Sequence, residues 1–155
     1  MTTTITAADL TVTLTEAVSL NGYDQGSKNV QTVSNVTEVN KRILAVTTTE
    51  ATILTFGAAM AGGTYVVGDV KYMRFTNLDD TNFIVLTFAN ENDDEAAIKV
   101  DAGNSFVVFG DNSGGMADVM DAKDSALSLS LGDMKSITAD ADTASCDLEI
   151  FVAST

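Results

Sequence analysis

Residues that branch at the β carbon dominate this chain and constrain its fold more than any other feature. Thr occurs 21 times in 155 residues, 16 of these before residue 80, and Pro is absent. β-Branched side chains lose rotamer freedom in a helix and pack well on a pleated sheet. The composition therefore favours extended structure.

Apolar and polar residues alternate along several short segments, which is the two-residue period of a strand with one buried face. In the clearest case, Leu10, Val12 and Leu14 alternate with threonines. Four segments between residues 70 and 109 are separated by turn residues, and we expect them to form a four-strand meander. The predicted strands are 10–15, 43–47, 52–56, 70–76, 83–88, 97–101, 105–109, 127–131 and 148–152.

Two segments depart from this pattern. Val30, Val33, Val36 and Val39 recur every three residues, but the Thr, Ser and Asn between them are poor helix formers, so we expect an extended segment with an irregular break. Residues 116–126 contain Ala, Met and Asp after a Gly-Gly pair, which predicts one or two helical turns.

Short strands without crossover helices predict an all-β fold. We expect a single antiparallel β-sandwich or jelly-roll-like domain over residues 9–155, with at most one short helix. Residues 1–8 are uncharged and contain repeated Thr, so we expect a flexible N-terminal arm.

The composition excludes several kinds of chemistry. The chain has no His, so it holds no Ser-His-Asp triad and no histidine metal site. Its single cysteine, Cys146, rules out disulfides and zinc ribbons within one chain, and we expect this residue to be a small buried hydrophobe. We therefore expect no enzymatic activity and no cofactor.

The formal net charge of −14 argues against nucleic acid and anionic membranes as partners, since both are bound by Lys and Arg. Residues 1–78 carry six acidic and five basic residues, whereas residues 79–155 carry sixteen and three. We expect the first half to form an attachment face and the acidic loops to face solvent. The alternative is that the acidic loops only keep the chain soluble.

Several acidic and glycine-rich segments resemble functional sites. Residues 90–95 offer four carboxylates and two amides, the ligand types of Ca²⁺, but lack the spacing of an EF-hand, so a solvated turn is favoured. The same holds for Asp140 and Asp142, and a carboxylate pair for glycoside hydrolysis is less favoured still. The glycine-rich segments 57–63 and 110–115 lack the Gly-Lys-Ser/Thr ending of a phosphate loop.

Candidate interface residues lie in the less charged half. The segment 21–28 is predicted to be a loop, with Tyr23 as an aromatic anchor and Lys28 at its end. Lys41 and Arg42 form a basic pair that could meet acidic groups on a partner. The N-terminus lacks the basic start and apolar run of a signal peptide, so we expect synthesis and folding in a cytoplasm.

The run KYMRFTNLD at residues 71–79, continued by TNFIVL at 81–86, resembles a pattern in virion structural proteins of tailed phages, particularly of marine and cyanobacterial hosts. Further short matches are spread over most of the chain. They are LNG at 20–22, GS at 26–27, KRI at 41–43, AGNSF at 102–106 and ASCDLEIFVAS at 144–154.

The resemblance implies a capsid decoration, or cement, protein on the capsid surface of the virion. Its partner would be the major capsid protein, and it would form a homo-oligomer, expected to be a trimer. No catalytic residues come with this family. The alternatives are a tail, neck or fibre-associated virion protein, or an extracellular Ca²⁺- or glycan-binding β-sandwich module.

Overall fold

The computed structural model describes residues 4–110, 114–117, 119–120 and 131–155, and all regular structure in these residues is β. The strands are β1 Ala8–Glu16, β2 Ser19–Leu20, β3 Tyr23–Asp24, β4 Ser27–Val36, β5 Glu38–Val46, β6 Ala51–Gly57, β7 Thr64–Val66, β8 Val70–Asn77, β9 Ile84–Asn90, β10 Glu95–Val100, β11 Ser105–Phe109, β12 Met134–Ala141 and β13 Cys146–Ser154.

Two sheets pack together as a β-sandwich, which confirms the predicted all-β fold class. One sheet has the spatial order β10-β9-β12-β6-β7, and the other has the order β11-β8-β13-β5. Neighbouring strands are antiparallel except β6 and β7, which pair in parallel over three residues. The predicted antiparallel sandwich is therefore confirmed, with one short parallel pair at an edge of the five-stranded sheet.

The core lies between the two sheets and is built from alternate residues of each strand. The rings of Phe75 and Phe88 meet edge to face with centroids 6.2 Å apart, and Phe106 packs on Phe88 at 5.8 Å. Aromatic pairs in this geometry add about 0.5–1.5 kcal/mol beyond the area that they bury. The large aliphatic side chains with at most 1% exposure are Val70, Met73, Ile84, Leu86, Met116, Ile137, Leu148, Ile150 and Val152.

The four strands predicted between residues 70 and 109 are all present, but they do not form a meander. β8 and β11 pair in the four-stranded sheet, while β9 and β10 pair in the five-stranded sheet. The connection after β8 therefore crosses between the sheets. Asn77 holds this crossing, since its buried side chain donates to the carbonyl oxygens of Asn82 at 2.8 Å and Val100 at 3.2 Å.

The irregular break expected between residues 30 and 39 is confirmed. β4 ends at Val36, Thr37 is outside the strands, and β5 begins at Glu38. Most of the helix expected over residues 116–126, and residues 127–130 of the strand expected at 127–131, lie outside the described residues, as do residues 1–3 of the N-terminal arm.

A long hairpin extends from the sandwich and is hereafter the ribbon. Its two strands are β1 and β4, which pair antiparallel from Ala8 opposite Val36 to Glu16 opposite Ser27. A bulge interrupts the pairing near its base, where Asn35 has a φ of 62°. β2 and β3 form a second, shorter hairpin at the far end of the ribbon.

The two charge halves do not separate into two layers. β12 and β13, both from the acidic half, occupy interior positions of the two sheets and pair with β6 and β5 from the first half. The ribbon alone is built entirely from the less charged half.

Candidate interaction surface

The ribbon tip, defined as β2, β3 and the turn between them, displays two large side chains side by side. Asn21 and Gly22 have φ values of 53° and 82°, the left-handed conformations that a type I′ turn requires at both central positions. This turn places Leu20 directly opposite Tyr23 in the register. Leu20 is 64% exposed and Tyr23 is 73% exposed.

Exposure continues far along the ribbon. Every residue from 13 to 32 is exposed, so this length of two-stranded sheet has no buried face in the free chain. An isolated two-stranded hairpin is at best marginally stable in water. The exposed apolar side chains include Leu14 on β1, Val30 on β4 and Val18 just after β1. A protein partner that covers the ribbon would stabilise it.

The base of the ribbon is seated on the outer face of the four-stranded sheet. Val33 and Val36 are buried there against Tyr72 and Ala153, and Leu10, Val12 and Phe151 pack around them. Tyr72 is 5% exposed, and this burial raises the pKa of its phenol even though Arg74 lies close by. β8 is therefore covered on both faces, by the core on one side and by the ribbon on the other.

An apolar groove of about 340 Å³ opens where the ribbon leaves this sheet. Val12, Leu14, Asn29 and Gln31 form its wall on the ribbon. The sheet contributes Tyr72, Arg74, Val107 and Phe109 to the opposite wall. Phe109 and Val107 lie on β11, an edge strand, and both are exposed. The groove is large enough for apolar side chains of another molecule to enter it.

The opposite edge of the same face carries an attachment patch, defined as Val39, Lys41 and Ile43 of β5. The strand register places Val39 beside Ala153, Lys41 beside Phe151 and Ile43 beside Glu149. Val39 and Ile43 are 54% and 59% exposed. Two exposed apolar side chains therefore flank a lysine on an edge strand of the sandwich.

An ion-pair cluster links the groove to the attachment patch. Glu149 lies between Lys41 Nζ at 2.9 Å and Arg74 Nη2 at 2.5 Å. Hydrogen bonds from Arg74 and then from Lys41 hold the pKa of the Glu149 carboxyl below its ordinary value. Two cations share one carboxylate, so this face carries local positive charge in a strongly acidic chain.

The structure distributes the four predicted interface residues over two surfaces. Tyr23 lies at the ribbon tip, and Lys28 lies on β4 nearby, in a segment that is paired and not the loop expected over residues 21–28. Lys41 lies in the attachment patch. Arg42 points to the opposite face and donates to the carbonyl oxygen of Ile53, so Lys41 and Arg42 do not act as a basic pair.

Sequence reasoning missed the groove residues Tyr72, Val107 and Phe109. The strands that hold them were predicted, but their partner across the groove is the ribbon, whose groove residues lie more than 40 residues earlier in the chain. Alternation shows that Val107 and Phe109 share a face, although it does not show that this face remains partly open.

The acidic turn at residues 90–95 is organised by its own side chains. The side-chain oxygen of Asn90, Oδ1, accepts hydrogen bonds from the backbone N–H groups of Asn92 at 3.0 Å and Asp94 at 2.9 Å. Lys135 pairs with Asp93, and Glu91, Asn92, Asp93 and Glu95 are exposed, as expected for a solvated turn. Among the described residues, no group of three or more His, Cys, Asp or Glu is arranged to hold a metal ion.

Cys146 is buried at 1% exposure, which confirms the prediction of a small buried hydrophobe. Burial raises the pKa of its thiol, and the nearby carboxylates of Asp79, Asp142 and Asp147 raise it further. A raised pKa disfavours the nucleophilic thiolate.

Searches of protein-family models, of curated proteins and of solved structures found no match to this chain. Within the residues that the structure describes, no helix is long and apolar enough to cross a membrane.

Proposed function

We propose that this chain is a non-enzymatic structural protein of a phage virion, a capsid decoration protein that binds the assembled head and stabilises it. One observation carries the proposal: apolar side chains remain exposed along the ribbon and on the adjacent sheet edge, where other proteins can cover them. The assignment to a virion is supported by the sequence motifs at residues 71–79 and 144–154, which resemble virion proteins of tailed phages.

The attachment patch is the surface proposed to meet the major capsid protein. Val39 and Ile43 would lose water-exposed apolar area on binding, at about 25 cal/mol for each Å² buried. Lys41 would contribute charge complementarity to an acidic capsid surface, which mainly raises the association rate. The acidic turn at residues 90–95 lies on the other sheet and would stay in water.

A decoration protein stabilises a head by binding only to its assembled state. A ligand that binds one state of an equilibrium shifts it by mass action, and a protein bridging several capsid subunits opposes their separation in this way. Covering the attachment patch at many equivalent positions would add these contributions over the whole shell.

Two measurements test the proposal. Quantitative mass spectrometry of purified virions should find this chain at hundreds of copies per particle, whereas a copy number near that of tail proteins would favour the tail, neck or fibre alternative. Purified protein should also bind undecorated heads and raise the temperature at which they release DNA. Ile43→Glu should weaken this binding at least tenfold, while Ala97→Glu, an equal charge change on an exposed position of β10, should not. Heads that bind neither the wild-type protein nor Ala97→Glu would contradict the proposal.

A further inference from the structure

We infer that the ribbon tip of one copy seats in the apolar groove of a second copy, so that neighbouring copies are linked into a closed ring. This inference names the partner of the ribbon and rests on the proposed structural role. It is independent of any contact with the capsid, because both surfaces belong to this chain.

The two surfaces match in size and chemistry. The tip presents Leu20 and Tyr23 as adjacent, exposed apolar side chains at the end of a narrow hairpin. The groove offers about 340 Å³ between Val107 and Phe109 on one side and Leu14 on the other. Aromatic anchors inserted into pockets dominate the binding energy of most protein interfaces.

A copy cannot fill its own groove. Val12 and Leu14 already form one wall of that groove, and the pairing of β1 with β4 continues unbroken beyond them to Glu16 opposite Ser27. The tip therefore lies further along the same extended ribbon, away from the groove. An acceptor for the tip must come from another molecule.

Charge favours the same arrangement. The exposed ribbon between residues 15 and 28 contains Glu16, Asp24 and one cation, Lys28, so its net charge is −1. Arg74 lines the groove, and it shares Glu149 with Lys41, which leaves one positive charge in excess. A local attraction between an acidic tip and this face opposes the general repulsion between copies of charge −14.

The exposed part of the ribbon beyond the groove supplies the donor side of the contact. Residues 15–28 are all exposed and give fourteen residues for donation, whereas Thr13, Leu14, Asn29 and Gln31 line the groove of the same copy. Stable protein interfaces involve roughly 20–30 residues from each partner, and each copy in the ring uses both its donor residues and its groove. Because tip and groove are different surfaces, the contact is heterologous, and a heterologous contact that closes produces a ring in which each copy donates one tip and receives another.

Variants of the isolated protein test this inference without any capsid. The donor variant carries Leu20→Ser with Tyr23→Ser, and the acceptor variant carries Val107→Glu, which places a carboxylate in the groove against the acidic tip. Ala97→Glu makes the same new charge on the edge strand of the other sheet and is the matched control. Sedimentation velocity in about 150 mM salt, where the Debye length is about 8 Å, measures their masses.

We expect the wild-type protein and Ala97→Glu to sediment as a closed oligomer, and the donor and acceptor variants each to sediment as a 16.2 kDa monomer. A mixture of the two variants retains one intact tip and one intact groove, and should form a pair of about twice that mass. If Val107→Glu fails to fold, Gln31→Glu on the ribbon wall of the groove replaces it.

A monomeric wild-type protein, an oligomer that survives in both variants, or a mixture that does not pair would each overturn the inference. These outcomes are separate from failure of the proposed function. Head binding is measured with the attachment-patch variant Ile43→Glu, so a monomer that binds heads refutes only the ring, and a ring that ignores heads refutes only the decoration role.

Discussion

The ring of Tyr72 packs edge-on against Phe109, with centroids 5.1 Å apart and planes inclined by 63°. Tyr72 also meets Phe151 at 5.9 Å on its other side, under the base of the ribbon. The same phenol ring therefore contacts the buried base of the ribbon and also forms part of one wall of the groove. A substitution that weakens packing at the base of the ribbon should change the shape of the groove as well.

The seat of the ribbon should respond to loss of a buried valine on β4. Val33→Ala removes two methyl groups from the cluster above Tyr72 and should destabilise the seated ribbon by about 1.5–2 kcal/mol. That value corresponds to roughly a tenfold or larger increase in hydrogen exchange of the ribbon amides. Val30→Ala, on the same strand but exposed, should leave exchange almost unchanged. Equal effects of the two variants would mean that the ribbon is not seated through Val33.

The junction between the ribbon and its tip should not tolerate a side chain at Gly26. A Cβ atom at this position would lie 2.4 Å from the backbone oxygen of Glu16 and 3.1 Å from Asp24 Oδ1. Gly26→Ala should therefore break the 2.8 Å hydrogen bond from the Gly26 N–H to Asp24 and shift NMR signals over residues 15–28, without changing the melting temperature of the sandwich. In Gly62→Ala the new Cβ meets nothing within 4 Å, and this control should show only local shifts at its own loop.

The ion-pair cluster should make stability depend on pH through Glu149. Its pKa is lowered in the folded chain, so its contribution is fully present above the pKa of the unfolded carboxyl, about 4.3, and is lost as pH falls through the lower folded value. Glu149→Gln should therefore cost more stability at pH 7 than at pH 3 in urea unfolding. Glu95→Gln, at an exposed position on β10, is the control. A pH-independent cost of Glu149→Gln would contradict the assignment.

Charge reversal should distinguish the two faces of the sandwich. Lys41→Glu should reduce binding to undecorated heads at low salt, and the difference from wild type should shrink as salt rises because exposed charges are screened. Asp93→Lys with Asp94→Lys should leave binding intact. Loss of binding only with the second change would reverse the proposed orientation. Arg42→Glu is excluded from this comparison, because it removes the bond to Ile53 and would destabilise the fold itself.

Local pattern was sufficient to predict most strands and insufficient to predict their pairing. The alternation at Leu10, Val12 and Leu14 identifies the inward face of β1. In the structure Leu10 and Val12 pack against the buried cluster at the base of the ribbon. The prediction of a meander was wrong because the turn after Asn77 resembles a hairpin turn in sequence. Its residues join two different sheets, and membership of a sheet depends on burial of the whole core.

Two features of the candidate surface were available in the sequence. Asn21-Gly22 between Leu20 and Tyr23 is a strong signal for a type I′ hairpin, but the flanking strands are only two residues long, too short for the alternation that identifies a strand, so the pattern predicts a loop. Adjacent residues on a strand point to opposite faces, so Lys41 and Arg42 had to separate once β5 formed. The groove could not be predicted, since it depends on where the ribbon crosses β8 and β11.

Limited proteolysis of the ribbon should also depend on the assembly state of this protein. Lys28 is the only basic residue between positions 13 and 32, so trypsin has one site in that exposed segment. Cleavage there would divide a free chain into two fragments. The sandwich contacts only the buried base of the ribbon, so it would not keep the cut ends paired further out. In a ring, binding of the tip to a neighbouring copy would shield the same bond. The rate of cleavage after Lys28 would therefore measure the fraction of the protein that is not assembled.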